Sequence, residues 1–328
     1  MANILFIGGT GQISLPCVAQ AVAAGHRVTV FNRVQRGEPL PAGVTVITGD
    51  MKDPASYRRL GESHWDVVAQ FMVFTPDQMA EDIRIFAGRT DQYIFISSAS
   101  VYEKPARHYV ISEDRTPAIN PYWPYSQAKI ACEALLRQSR DLPWTIVRPS
   151  HTVRSGLPTM MNEGDLIAHR MLAGRPVLVA GDGTTPWTLT RSADFATPFI
   201  GLFGKREALG EVFHITGDRA FTWDAIYRTI AAGLGVEARI VHVPTDTLVR
   251  YRPEWEGPLL GDKTWAALFD NSKVRRVAGD FSCEEDLGRI LEEPLAHFRK
   301  RRAEHGPQTS DLEPLLDRIA AEQSALGA

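Results

Sequence analysis

Short apolar, β-branched runs alternate with amphipathic stretches over the first 150 positions. The runs fall at Ile4–Ile7, Val28–Phe31, Val44–Ile47, Val67–Phe71, Tyr93–Ser97 and Thr145–Arg148. Between most of them the apolar spacing is helical, as in Ile13–Ala24, Pro76–Ala87 and Tyr125–Arg140. Strands apolar on both faces and separated by helices predict a parallel sheet covered on both sides. With right-handed crossovers, the fold class is α/β, a doubly wound parallel sheet.

After Arg148-Pro149 the pattern changes. Residues 151–190 are rich in Gly, Pro and Thr and predict one helix near Asp165–Ala173. A smaller α/β region follows, with strand Val212–Ile215, helix Thr222–Leu234 and strand Arg239–Val243. Residues 244–264 mix Pro and Trp with Arg and Gly and read as an irregular loop, a length usually functional or mobile. Leu312, Leu315, Leu316 and Ile319 lie on one face of a C-terminal amphipathic helix. Three units result: 1–150, 151–305 interleaved with the first, and 306–328.

The 328 residues are 44% hydrophobic and 23% charged, the balance of a folded domain pair. The net charge of −3 gives no basic field for nucleic acid. Lysine is scarce beside arginine, which reads as codon bias. The three cysteines, Cys17, Cys132 and Cys283, form no C-x-x-C pair and read as buried thiols in a reducing cytoplasm. No apolar run spans a bilayer and no secretory signal precedes Ile4, so neither membrane nor export is expected. No metal-ligand spacing stands out, and none is assigned.

The first run leads into Gly8-Gly9-Thr10-Gly11-Gln12-Ile13-Ser14, where a helix opens. The spacing is G-x-G-x-x-S. Such a turn lets a pyrophosphate approach the backbone and meet the helix N-terminus. Its position between strand and helix raises it above an ordinary turn. The ribose position, at the end of the second strand, is Asn32 rather than an acid. Arg33 follows and Arg36 is near. A guanidinium pairs with a 2′-phosphate, which favours NADP(H) over NAD(H). The opposing reading is a solvated basic loop. Asp50-Met51, after the third strand, offer the adenine a hydrogen bond and packing; a turn-capping role for Asp50 stays open.

Tyr125 and Lys129 stand at i and i+4 on one helical face. A phenol titrates near ~10, and a neighbouring ammonium favours its ionised form, as acid/base work requires. The fifth run ends in a hydroxyl cluster, Ser97-Ser98-Ala99-Ser100, at a carboxyl end of the sheet, where such folds bind ligands. A serine there orients a substrate oxygen while hydride passes to or from a nicotinamide.

At these residues the chain resembles the extended short-chain dehydrogenase/reductases, the NAD-dependent epimerase/dehydratase group with its Rossmann fold. The Gly8–Ile13 turn, Ser97–Tyr102, Tyr125–Lys129 with Glu133, and Arg148-Pro149 carry the resemblance; Gly210–Ile215 and Asp270–Lys273 add weaker matches. Val28–Arg33 resembles an atypical branch that includes chloroplast stem-loop-binding proteins. The resemblance implies Ser98, Tyr125 and Lys129 as catalytic residues. It implies Gly8, Thr10, Gly11, Gln12, Ile13, Gln70, Phe71, Tyr125, Lys129, Pro149 and Ser150 around the cofactor. It also implies a homodimer through the Pro76–Ala87 and Tyr125–Arg140 helices.

Departures bear on substrate. Ala99 and Ser100 replace the Asp-Glu pair of dehydratases. His151 stands where epimerases have Asn, and Trp187 lies near their diphosphate-binding Arg. Ser100, His151, Arg154 and Trp187 are therefore candidate substrate residues, with Arg191 another source of charge. For His151 a structural role stays open, and His214 reads as a core residue. The expected ligand is a small sugar, sugar nucleotide or related alcohol, either reduced or epimerised. A non-catalytic dinucleotide- or RNA-binding member of the fold is the alternative.

Overall fold

The computed structural model describes residues 1–33 and 38–326. Seven parallel strands follow the apolar runs: β1 (Asn3–Ile7), β2 (Arg27–Asn32), β3 (Thr45–Thr48), β4 (Val67–Gln70), β5 (Tyr93–Ile96), β7 (Trp144–Pro149) and β11 (Glu211–Ile215). Their spatial order is β11-β7-β5-β4-β1-β2-β3. The order reverses beside β1, and ligands of doubly wound sheets bind at such a reversal.

Alternation along β1 feeds two cores. Ile4 and Phe6 pack with α1 (Ser14–Ala23), α6 (Ser192–Gly201) and α10 (Ser272–Ala278). Leu5 and Ile7 face the other way, toward α2 (Pro54–Arg58), α3 (Pro76–Phe86) and α4 (Pro124–Gln138). The chain thus returns to the first unit for α6, β11 and α10 after leaving it at Pro149.

The second unit has its own core, built from β8 (His151–Val153), β9 (Val177–Ala180), β10 (Pro186–Arg191), β12 (Ala220–Thr222) and β13 (Ile240–Val243) with α5 (Leu166–Leu172) and α7 (Trp223–Gly233). Helices α11 (Leu287–His305) and α12 (Glu313–Leu326) close it. Leu316 and Ile319 bury the C-terminal stripe there. A short pair, β6 (Val110–Ile111) and β14 (Leu268–Phe269), joins the two units. Among the described residues, no helix is long and apolar enough to cross a membrane.

Two segments differ from the sequence reading. Residues 151–190 hold three strands besides the helix, because their buried Thr188 and Thr190 hydroxyls are satisfied by Ala267 O and Ser150 Oγ, at 2.6 and 3.0 Å. Residues 244–264 are mostly helical rather than irregular: α8 (Thr245–Tyr251), α9 (Glu256–Pro258) and a π-helical turn, Leu259–Lys263. Leu248, Trp255 and Leu259 anchor them in the core, a pattern that the prolines hide.

One buried acid stiffens the unit that carries the site. Asp82, fully buried on α3, accepts from Tyr57 and Tyr93 at 2.6 Å each and from Gln70 Nε2 at 2.5 Å. Burial pushes its pKa up to about 6 despite those donors. The folded state therefore binds a proton that the unfolded carboxyl, near ~3.9, has released. The Asp82 contribution to stability falls as pH rises from about 4 to 6. Asp82→Asn is expected to remove that component, seen as a flatter urea-midpoint profile between pH 4 and 6. An unchanged difference between wild type and variant across that window would contradict the assignment.

Candidate active site

The turn between β1 and α1 is shaped by contact. Gly8 has φ +84°, a left-handed backbone that favours glycine. Ser14 is buried, and its Oγ accepts the Gly11 N–H at 2.8 Å, which pins the turn. A Cβ on Gly11 would meet only Ser14 Oγ at 3.1 Å and the Gly8 carbonyl at 4.0 Å. It would otherwise stand in a cavity of about 700 Å³ bounded by Thr10, Gly11, Asn32, Arg33, Asp50 and Met51. No side chain caps α1, so its N-terminal dipole and first N–H groups are left for an anion. The cavity's chemistry fits a dinucleotide: a bare glycine under the phosphate position, a helix N-terminus, and an amide and a guanidinium at the ribose end.

Asn32 also props the turn. Its Oδ1 accepts from Gly9 N at 3.1 Å and its Nδ2 donates to Thr10 Oγ1 at 3.3 Å. Arg36 lies outside the described residues. Asp50 accepts the Lys52 N–H at 2.9 Å, while Asp53 is the cap of α2. Lys52, Met72, Phe74 and Gln78 also line this cavity, and the sequence reading missed all four. Met72 and Phe74 carry a weak signal, apolar side chains just beyond the end of an inner strand.

Three residues expected around the cofactor turn their side chains elsewhere. Gln70 is fully buried and turned into the Asp82 network; its Oε1 accepts the Met72 N–H at 2.7 Å. Phe71 packs in the core against Phe6 and Phe199. Gln12 is a strut between the two units: its Nε2 donates to Thr152 O at 2.7 Å and its Oε1 accepts the Gly156 N–H at 3.0 Å.

A second cavity, of about 370 Å³, holds Ser98, Ser100, Tyr125, Pro149, Ser150 and His151 together. Ile13 and Trp187 also line it. Gly11 thus borders one cavity and Ile13 the other. A hydroxyl chain orders the wall: Ser98 Oγ lies 2.9 Å from Ser100 Oγ, which lies 2.7 Å from Ser126 Oγ. Burial pushes the Tyr125 phenol up, while a hydrogen bond with Ser98 pulls the other way.

Lys129 lines neither cavity. Its ammonium is buried and donates to Val73 O at 2.7 Å and Ile96 O at 2.9 Å. It sits over the rings of Phe74 and Phe95 and lies 5.9 Å from the Tyr125 ring centroid. Two of its three protons are thus engaged by backbone, which leaves one for the expected support of phenolate and ribose. Further along α4, Glu133 accepts from Arg148 Nε at 2.9 Å, from Arg148 Nη2 at 2.5 Å and from Ser97 Oγ at 2.6 Å.

His151 Nδ1 accepts from Trp187 Nε1 at 3.0 Å, so the ring proton is on Nε2. Burial, helped by Lys263, pushes its pKa down to about 3, and the ring is neutral. Arg154 is corrected as a substrate residue. Its Nη1 donates to Glu38 at 2.6 Å and its Nε to the Gln12 carbonyl at 3.1 Å, and it lines neither cavity. Arg191 is likewise engaged, by Asp194 at 2.7 Å. His214 is a satisfied core residue, 3.0 Å from Tyr102 Oη and 2.9 Å from Asp270 O.

Residues 8–160 match the NAD(P)H-binding family. The chain carries that domain and has the fold of the extended short-chain dehydrogenase/reductases and NAD-dependent epimerases. It is 25% identical to the 2′-dehydrokanamycin reductase of Streptomyces kanamyceticus, over 99% of this chain and 93% of that protein. It is 30% identical to the chloroplast stem-loop binding protein of 41 kDa b of Arabidopsis thaliana, over 73% of this chain and 65% of that one. Among solved structures, the epimerase Mth375 of Methanothermobacter thermautotrophicus superposes with a TM-score of 0.74 at 16% identity, covering 92% of this chain and 93% of the other.

The open space over Gly11 gives a direct check. Gly11→Val is expected to weaken NADPH binding at least about 100-fold in a fluorescence titration. Thermal stability should fall only slightly, because the added carbons crowd one side-chain atom, Ser14 Oγ, and otherwise enter the cavity rather than the core. Wild-type affinity in the variant would contradict the phosphate placement.

Proposed function

We propose that this protein is an NAD(P)-dependent reductase, or an epimerase working through the same steps, for a hydroxyl or keto carbon of a sugar, sugar nucleotide or related small alcohol. The carrying observation is the shared 370 Å³ cavity, which brings the Tyr125 phenol and the Ser98 hydroxyl together beside Ile13 and Pro149. A bound nicotinamide supplies or accepts the hydride. Thr10, Gly11 and the α1 N-terminus hold the pyrophosphate, and Asn32 and Arg33 face the ribose end. Arg33 without a neighbouring acid at Asn32 favours NADP(H).

Ser98 orients the substrate oxygen through a hydroxyl ordered by Ser100 and Ser126. Tyr125 moves the proton at its Oη. Its raised pKa keeps the phenol protonated at neutral pH, which suits donation to a carbonyl oxygen. Lys129 acts as a positioning residue: it fixes α4, and so Tyr125, against the sheet. A second reading, suggested by the name of the Arabidopsis relative, is a non-catalytic member that binds an RNA stem-loop. It requires a salt-dependent RNA shift and no oxidation of NADPH.

Tyr125→Phe is expected to lower NADPH oxidation against a keto-sugar panel by about 10²–10⁴-fold while NADPH affinity holds. Wild-type turnover in that variant would remove the phenol from the chemistry. In the reductive direction the wild-type rate is expected to stay level through neutrality, since the raised phenol stays in its acid form, and to fall only as the Lys129 ammonium that positions it titrates at about 8. A fall centred near neutrality would show a different proton donor.

A further inference from the structure

The second cavity contains two ammonium groups that the proton and hydride chemistry does not use. Lys104 and Lys263 line it, with Asp262. The two lysine side chains are only 2% and 7% exposed. Lys104 Nζ lies 3.9 Å from Asp262 Oδ1 and Lys263 Nζ 3.7 Å from Oδ2, each beyond a good hydrogen bond. Among the described residues neither ammonium donates a hydrogen bond. Two cations therefore flank one carboxylate. The next acid, Glu163, is already engaged by the Met161 N–H at 2.7 Å, and burial pushes it toward its neutral form. Burial also pushes the Lys104 ammonium toward its neutral form. Both residues line the cavity, so an arriving anion meets two ammoniums at short range, where charge-assisted hydrogen bonds are strong.

The backbone here is built to present these groups. Asp262 and Lys263 lie on the π-helical turn Leu259–Lys263. Such turns are rare and recur at functional sites. Asn120 Nδ2 donates to both Gly261 O and Ser100 O at 2.7 Å, which ties the turn to the hydroxyl wall. A Cβ on Gly261 would lie 2.7 Å from Trp123 Cβ, so the turn is seated against the residue that precedes α4. The Trp123 ring in turn faces Lys263 Nζ at 5.5 Å. Lysine is also a rare choice in this sequence, where arginine supplies most cations. A compact ammonium leaves ligand space that a guanidinium fork would fill.

We propose that Lys104 and Lys263 form an anion subsite, so that the pocket takes a hydroxy or keto compound carrying a carboxylate or a phosphate. Asp262 holds the two ammoniums apart and accepts from a ligand hydroxyl. The proposal rests on the oxidoreductase reading for the reacting carbon; the anion subsite itself is tested by binding alone.

The test uses the full chain with saturating NADP⁺ and follows tryptophan fluorescence, since Trp123 and Trp187 line the pocket. The probes are glucuronate, glucose 6-phosphate, neutral glucose and cationic glucosamine. At least one anion is expected to bind about tenfold more tightly than glucose or glucosamine, and the better of the two identifies carboxylate or phosphate. Lys104→Met and Lys263→Met should each weaken that anion about tenfold and leave glucose unchanged. Asp262→Asn should shift affinity the opposite way, toward tighter anion binding. This direction decides the matter should the methionine variants fail to fold. Equal binding of anions and glucose, no anion binding below about 10 mM, or unchanged or weaker anion binding in Asp262→Asn would overturn the subsite. Tyr125→Phe should keep the anion affinity. Full turnover in that variant would count against the proposed chemistry and leave the subsite standing.

Discussion

A single buried ammonium holds the site's three supports together. Lys129 reaches from α4 to the carbonyls of Val73, in the loop after β4, and Ile96, at the end of β5. Those elements carry Tyr125, Phe74 and, two residues past Ile96, Ser98. Enclosing a cation this deeply is unfavourable, and its pKa is pushed down to about 8. Two strong acceptors and the faces of Phe74 and Phe95 offset the lost hydration. The Glu133–Arg148 pair repeats the device one turn later and ties α4 to β7. Buried pairs of this kind add little net stability but enforce one arrangement. Here the arrangement is the distance between a phenol and a serine.

The candidate active site lies on the seam between two cores. Ile13, Ser98 and Tyr125 come from the unit that holds the parallel sheet, and His151, Trp187 and Lys263 from the second unit. Gln12 fastens that seam by bonding the backbone at Thr152 and Gly156. Arg154 does so from the other side, through the Gln12 carbonyl. The first unit thus carries the NAD(P)H-binding match, and the second supplies the remaining walls of the cavity.

Much of this was legible in the sequence. Parallel strands buried on both faces leave unbroken apolar runs, and the six early runs match the strands to within one residue at each end. The turn at Gly8–Ser14 and the meeting of Ser98 with Tyr125 were readable, because the chemistry restricts which residues stand there. Facing was not readable. Gln70 and Phe71 end an inner strand, but pleating and the pull of Asp82 send one into a polar core and the other into an aromatic one. Arg154 looked available because its partner, Glu38, is remote in sequence. The lysines carried a signal that went unused. Of seven in the chain, Lys104, Lys129 and Lys263 are buried around the site, so their scarcity reflects selective placement as well as codon usage.

On the proposed function, a nicotinamide laid across the end of the sheet would meet the phenol of Tyr125. A crystal structure of the full chain with NADP⁺ tests it most directly. Pyrophosphate density is expected over Gly11 at the start of α1, with the nicotinamide reaching the cavity that holds Ser98 and Tyr125. Density for the dinucleotide elsewhere, or a nicotinamide turned away from Tyr125, would contradict it.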